Sequence, residues 1–582
     1  MTDAPRRELL FEAAKGIREA FVKYNDNFGR ITRRAKQRFE TRDWRGAERD
    51  FGERLELYTK SVERSVGALQ RLLGHTDATR AQWPALKQTF GARVDGIADG
   101  AFSKTFFNSI SRRIFQTVGT DPETEFLDIR FNIRDAQRHA VECRSYLNWG
   151  APREIIEQLL TDCEFGVPYA HLDEDVSRIQ QDIERHAAAD GSAQEMLRLD
   201  FLPAVFYQST RAYLIGKVFW LGSEAPLVIA LRHDDNGIAV DQIMMSVDDI
   251  SILFGFTRSY FFVDLEPVEG AVHFINSLLP HKPIDELYTV LGRVRQGKTE
   301  RYRQFSNHLA TCHDRFVHAP GDRGLVMICF TLPSYDLVFK VIRDRFGFPK
   351  NTSRDEVMSK YQFVFKHDRA GRLIDTQEFT DIGFPLEKFD PAVIEELMNE
   401  AGESTRIDGD QLVIRHLYVE RRLRPLNLFV REAERAAAEA AVLDYGQALR
   451  DLAHANIFPG DLLIKNFGVT RHGRCIFYDY DELCLVTDCN FREVPESPFD
   501  EDEMRPRPWF HVNANDVFPE EFMRFLALDE GLKQTFMTRH ADLLSVEFWR
   551  GVQQQHIAAE GSDRRAATHP GQPRPRARPA FS

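Results

Sequence analysis

The sequence predicts an α+β protein in two large parts: a mainly helical first part enclosing a small antiparallel sheet, then a domain that opens with strands and closes with helices. Three observations predict it. Apolar residues recur at helical spacing through the first 200 residues. Between about 213 and 265 that period gives way to runs rich in β-branched and aromatic residues. Past the helical pattern at 285–311, GLVMICFTL and YDLVFKVIRD read as strands turning at Pro333-Ser334. A chain of 582 residues is also too long for one core. The expected divisions are 1–310, 311–560 and a tail at 561–582.

In the first part, Leu55, Tyr58, Val62, Val66, Leu69 and Leu73 recur every three or four residues and so share a helix face. They are expected to pack, and carry no function. YLIGKVFWLG, PLVIALRHD, GIAVDQIMM and RSYFFVDL suggest an antiparallel meander. Asn236-Gly237 joins the second and third as a tight hairpin, because both positions tolerate positive φ. In the second part, QLVIRHLYVE ends a strand near Glu420 and an Ala/Glu-rich helix runs to about Ala455. Pro459-Gly460 stops that helix and throws the next residues into a loop. The last 22 residues are rich in Pro, Gly and Arg with little to bury, so an unstructured tail is expected. No internal repeat is found.

Composition narrows the function. With 43% hydrophobic and 28% charged residues the chain is ordinary for a globular protein. A net charge of −13 argues against a nucleic-acid surface. The seven cysteines include no C-x-x-C pair, which reads as reduced and intracellular. The N-terminus is charged from the start, and no uncharged apolar run of 18 residues occurs. A cytoplasmic protein without a membrane partner is expected.

Phosphoryl transfer needs phosphates held, a metal to neutralise charge and a carboxylate near the attacking hydroxyl. The second part supplies a candidate for each, in order. Ala319-Pro320-Gly321-Asp322-Arg323-Gly324-Leu325 is a glycine-containing turn before a strand, where backbone N–H groups can approach phosphate oxygens. The kinase pattern G-x-G-x-x-G is not there. Lys340 follows, in the apolar run Leu337-Val338-Phe339-Lys340-Val341-Ile342, and resembles the lysine of V-A-I-K that pairs with ATP phosphates. Phe458-Pro459-Gly460-Asp461-Leu462-Leu463-Ile464-Lys465-Asn466 keeps the five-residue offset from aspartate to asparagine of H-R-D-L-x-x-x-N. There the aspartate is the base and the asparagine a metal ligand; Pro459-Gly460 replaces the His-Arg pair. Asp479, 18 residues after Asp461, lies where the metal-binding aspartate of D-F-G would lie. Taken together these predict an ATP site in a bilobal protein-kinase-like domain.

The third position of D-F-G is Asp481, followed by Glu482. Were this segment a strand, Asp479 and Asp481 would face one side, able to hold a metal and to position a water for hydrolysis. No helical glutamate that would pair with Lys340 stands out; Glu356 and Asp368 are both open.

Over essentially its whole length the chain resembles the isocitrate dehydrogenase kinase/phosphatases. The resemblance is densest in FTLPSYDLVFKVIRDRF, DTQEF, VIRHLYVERRLRPLN, ANIFPGDLLIKNFGVTRHGR, FYDYDE and DVFPEEF. It implies an N-terminal regulatory domain, a kinase-like catalytic domain, Mg²⁺ or Mn²⁺, and serine phosphorylation of isocitrate dehydrogenase. It also implies control by AMP and a role in directing carbon between the citric acid cycle and the glyoxylate bypass. By that similarity residues 319–325 and Lys340 bind ATP, and Asp375, in DTQEF, is an active-site residue. From the residues alone Asp375 is a loop aspartate after Gly371-Arg372. The kinase base is then Asp461, the metal ligands Asn466 and Asp479, and the groups that aim water in the phosphatase direction Asp375 and Asp481. Two other readings compete: a nucleotide-sensing pseudokinase that regulates a partner by binding, and a kinase for a small metabolite.

Overall fold

A computed structural model of the chain describes residues 3–74, 77–127, 138–189, 195–255, 260–348, 350, 352–367, 370–495 and 510–567. It divides into two compact units. The first is Met1–Ala319, Met327–Arg345 and Asp375–Arg421; the second is Pro320–Val326, Phe346–Ile374 and Arg422–Ser582.

The first unit begins with helices α1 (Asp3–Glu40), α2 (Trp44–Leu73), α3 (Asp77–Val94) and α4 (Gly100–Phe115). Helix α2 starts where the Asp43 carboxylate accepts from the Gly46 N–H at 2.8 Å, satisfying a donor that the first turn leaves free. The expected face is buried: Tyr58, Val62 and Leu69 join Phe21, Tyr24, Trp83, Phe90 and Phe106 in one core, with Val66 and Leu73 packed against it. Leu55 is only half-buried.

An antiparallel sheet follows, from β1 (Arg144–Leu147), β2 (Arg198–Phe201), β3 (Phe206–Gln208), β4 (Arg211–Trp220), β5 (Ser223–Asp234) and β6 (Gly237–Met244). Its order is β1-β2-β4-β5-β6, with β3 on β4. Strand alternation sorts its side chains into two cores. Leu214, Val218, Ile229 and Leu231 face α5 (Pro152–Thr161) and α6 (Leu172–Ala189). Tyr213, Ile215, Val228 and Ala230 face α7 (Val247–Leu253), α8 (Val268–Leu278) and α9 (Ile284–Val290). The Asn236-Gly237 hairpin forms as expected, with Gly237 at φ +125°. RSYFFVDL does not form the expected strand. In its described part, Phe261 donates to Val290 while Phe262 exchanges bonds with Tyr207, so two different partners split its backbone and leave a single bridge.

Helix α10 (Val294–Thr311) leads into a second antiparallel sheet: β7 (Val317–His318), β8 (Met327–Thr331), β9 (Leu337–Ile342), β10 (Thr376–Pro385), β11 (Thr405–Asp408) and β12 (Gln411–Arg421). The order is β10-β12-β9-β8-β7, with β11 on β12. Lys340 thus lies on the third strand of the domain and the middle strand of that path, as the ATP lysine does in protein kinases. Phe330, Leu337, Phe339, Val341, Phe384 and Leu417 fill the core on one face. Helix α11 (Arg354–His367), between β9 and β10 in sequence, belongs to the second unit; α12 (Pro391–Glu400) belongs to the first.

The second unit continues with β13 (Arg424–Pro425), α13 (Leu426–Glu432) and α14 (Arg435–His454). Short strands follow: β14 (Ile457–Phe458), β15 (Phe467–Val469), β16 (Cys475–Phe477), β17 (Cys484–Leu485), β18 (Asn490–Phe491) and β19 (Asp516–Val517). Helices α15 (Phe522–Phe525), α16 (Glu530–His540) and α17 (Val546–Ala567) close the unit. The last of these runs seven residues into the expected tail; 568–582 lie outside the described residues. None of the seven cysteines is in a disulfide. Among the described residues no helix is long and apolar enough to cross a membrane.

Candidate active site

In the first unit the candidate residues Lys340 and Asp375 are both buried among polar partners. Leu337, Phe339 and Val341 turn into the core, so strand alternation sends Lys340 to the other face of β9. Lys340 pairs in register with Tyr418 of β12, which puts Glu420 on the diagonal neighbour position. The Lys340 Nζ and the Glu420 carboxylate are 2.6 Å apart, with side chains 7% and 4% exposed. Burial raises the Glu420 carboxyl above its ordinary value, and Lys340 opposes the rise. The partner of the lysine is therefore a strand residue. Neither helical candidate fills the role: Glu356 caps its own helix by accepting from the Ser353 N–H at 2.7 Å, and Asp368 lies outside the described residues.

Thr376, the first residue of β10, donates to the second Glu420 oxygen at 3.1 Å. Beside it Asp375 is 2% exposed. Its carboxylate accepts from the Tyr260 hydroxyl at 2.8 Å and from the Gln377 amide at 3.5 Å. The Arg301 guanidinium of α10 stands 3.9 Å from it and holds Asp285 at 2.8 Å. Burial works against the Arg301 charge, but Asp285 and Asp375 more than offset it and push its pKa up.

The remaining candidates lie in the second unit, apart from Ala319, whose N–H bonds the Cys329 carbonyl at 2.9 Å. Pro320 to Leu325 are exposed in the loop between β7 and β8, with Gly321 at φ +119°. Asp461 begins the loop after β14. One of its carboxylate oxygens accepts from the Leu463 N–H at 3.0 Å, and its carbonyl accepts from the Asn466 amide at 3.3 Å. The Tyr445 hydroxyl of α14 holds the Leu462 carbonyl at 2.6 Å. The departure from His-Arg has a steric reason. Gly460 has φ +81°, and a Cβ there would stand 2.4 Å from the Glu482 carbonyl oxygen. Only glycine fits such a position without strain. Gly460→Ala is expected to cost about 1–3 kcal/mol in this loop and to lower any activity that depends on Asp461 by about tenfold or more. Activity and chemical denaturation equal to the parent protein would contradict this packing.

Strands β15 and β16 pair as a hairpin from Phe467↔Phe477 to Val469↔Cys475. The Tyr478 N–H then donates to the Asn466 carbonyl at 3.1 Å. Asn466 and Asp479 therefore leave the same end of one hairpin. The segment after it is not the expected strand: β16 stops at Phe477, and Asp481 and Glu482 lie in a turn. Buried Tyr480 imposes this, packing on Phe477 and Tyr361 and donating to the Ile374 carbonyl at 2.8 Å. The same-face argument for Asp479 and Asp481 does not apply. Asp481 instead meets the Lys350 Nζ at 3.0 Å, and Glu482 meets it at 2.5 Å. Burial opposes the Lys350 charge, yet the Glu482 and Asp481 carboxylates push its pKa well up.

The donor set fits a hard divalent cation carried with nucleotide phosphates. An amide oxygen and a carboxylate oxygen come from one hairpin end, and substrate phosphates and water complete such a shell. Among the described residues no group of three or more His, Cys, Asp or Glu forms a protein-only cage.

Sequence reasoning missed Glu420, Lys350, Tyr260 and Arg301. Glu420 had a signal, as the one acid of β12; Lys350 had none.

The chain matches two family models. Residues 14–313 match the isocitrate dehydrogenase kinase/phosphatase (AceK) regulatory domain, and residues 314–565 match the kinase domain of the same family. An isocitrate dehydrogenase kinase/phosphatase of Anaeromyxobacter sp. is 45% identical over 552 residues, covering 95% of this chain and 96% of the relative. The protein of that name from Anaeromyxobacter dehalogenans is 45% identical over 568 residues, covering 95% and 96%. That from Xanthomonas axonopodis pv. citri is 44% identical over 550 residues, covering 94% of both. With both domains matched end to end, the chain belongs to the isocitrate dehydrogenase kinase/phosphatase family.

Proposed function

We propose that the chain is a cytoplasmic enzyme that phosphorylates a serine of isocitrate dehydrogenase with ATP and hydrolyses the same phosphoserine. AMP acts as allosteric effector, and the balance sets flux between the citric acid cycle and the glyoxylate bypass. A kinase-domain family implies ATP as phosphoryl donor. The observation that carries the residue assignment is the Tyr478–Asn466 backbone bond, which supports a paired role for Asn466 and Asp479.

Lys340 holds ATP phosphates, and Glu420, 2.6 Å away, keeps its ammonium aimed. Residues 319–325 border the nucleotide, with backbone N–H groups offered from Gly321 onward. Asp461 accepts the proton of the substrate hydroxyl; its Asx turn with Leu463 fixes one oxygen and leaves the other for that proton. Asn466 and Asp479 hold Mg²⁺ or Mn²⁺, which supplies charge neutralisation at the phosphates. Asp481, held by Lys350 at 3.0 Å, orients water in the hydrolytic direction. Asp375 serves both directions: its buried carboxylate, bound to Tyr260, steadies the start of β10, where the next residue, Thr376, donates to Glu420.

Incubation with labelled ATP, Mg²⁺ and isocitrate dehydrogenase tests this reading, with label transfer and then its loss expected. ATP binding without transfer would leave a pseudokinase. Transfer only to a small metabolite would make it a metabolite kinase. Asn466→Ala and Asp479→Ala are each expected to shift the Mg²⁺ titration of activity to higher concentration, since each removes one oxygen ligand. Titrations that overlay the parent curve would refute the metal assignment.

A further inference from the structure

Cys484 and Cys489 lie in the second unit with their sulfur atoms 3.6 Å apart. The turn between them is held from both sides. Lys360 of α11 donates to the Leu483 carbonyl at 2.7 Å. Gln553 of α17 donates to the carbonyls of Val486 at 3.0 Å and Cys489 at 2.7 Å. Cys489 is buried, while Cys484 is only partly buried. This turn also supports the Asp461 loop: Cys484 and Leu485 pair with Phe458 and Ile457, and Gly460 packs on Glu482.

We propose that Cys484 and Cys489 form a reversible disulfide site for a peroxide oxidant, and that closing it slows phosphoryl transfer by pulling on the strand behind the Asp461 loop. The functional half rests on the kinase reading above; the covalent half does not. The Cys484 sulfur attacks a peroxide oxygen, breaking the O–O bond, giving a sulfenic acid and releasing water. The Cys489 sulfur then attacks the Cys484 sulfur, its proton leaves with the departing hydroxide as a second water, and the S–S bond forms. Two thiols are oxidised by two electrons and one peroxide is reduced to two waters. Bonding requires the sulfurs to close from 3.6 Å to about 2.05 Å. The hydrogen-bond contact between the two sulfurs holds the Cys484 thiol below its ordinary value and favours it as the attacking group. Cys475, fully buried with its thiol pushed far up by desolvation, is an internal control in the same stretch of chain.

The test treats the folded full-length protein with hydrogen peroxide, then alkylates, cleaves on the N-terminal side of Asp488 and weighs the fragments. Cleavage there separates the two cysteines, so a linkage keeps the fragments together until dithiothreitol is added. The expected result is a dithiothreitol-sensitive link short by two hydrogen masses, lost in Cys484→Ser and Cys489→Ser, with Cys475 unlinked. Label transfer should fall several-fold on oxidation and recover on reduction in the parent protein, while Cys489→Ser shows no reversible loss. Both thiols staying alkylatable, or Cys484 running on to sulfinic acid alone, would overturn the proposal. So would linked protein that transfers label at the reduced rate. Linkage is read by mass without any variant, so neither a misfolded variant nor failure of the kinase reading can mask it.

Discussion

Glu420→Ala is expected to destabilise the protein by about 3–5 kcal/mol, because it removes one member of a buried ion pair. The pair is 2.6 Å apart with both side chains under a tenth exposed, so water cannot take over from the lost carboxylate. Thr376 would also lose the acceptor of its hydroxyl. Removing the lysine as well should restore much of the loss, since an apolar pair in that place strands no charge. Chemical denaturation is then expected to rank the parent protein first, Lys340→Met with Glu420→Ala second, and Glu420→Ala alone last. A double variant no more stable than Glu420→Ala would show that the two groups are not partners.

Asp461→Ala is expected to lower phosphorylation of isocitrate dehydrogenase on the order of 10²-fold or more, the usual effect of removing a positioned acid–base group. The loop should survive, because Tyr445 still holds the Leu462 carbonyl and the β15–β16 hairpin is untouched. Asp375→Asn makes the useful contrast. Its amide keeps the size of the carboxylate and can still accept from Tyr260, but it no longer balances Arg301. Because Asp375 directly precedes Thr376, which donates to Glu420, both reactions should fall together in Asp375→Asn. Loss of dephosphorylation alone would return Asp375 to a direct role in hydrolysis.

Much of this was legible before any coordinates. The helical first part, the Asn236-Gly237 hairpin and the strands on either side of Lys340 follow from periodicity and turn chemistry, which act over a few residues. The Asp461 and Asn466 offset was legible for the same reason. The readings that failed depend on contacts between residues distant in sequence. RSYFFVDL has strand-like composition, but its hydrogen bonds go to two different neighbours. The segment at Asp479 alternates like a strand, yet Tyr480 anchors it to Ile374 and bends it into a turn. Glu420 becomes the partner of Lys340 only through the pairing of β9 with β12, and a search confined to helical acids cannot find it. Lys350 comes from a loop with no local pattern to mark it.

The central claim is that one set of kinase-like residues runs both the transfer of phosphate and its removal. Lys340→Met tests it most directly, because it deletes the phosphate-binding charge and keeps an apolar stem in the strand. The measurement is the rate of label transfer to isocitrate dehydrogenase beside the rate of phosphate release from phosphorylated isocitrate dehydrogenase, in folded variant and parent protein. Both rates are expected to fall together. Phosphate release at the parent rate, with transfer abolished, would contradict it and place hydrolysis in separate machinery.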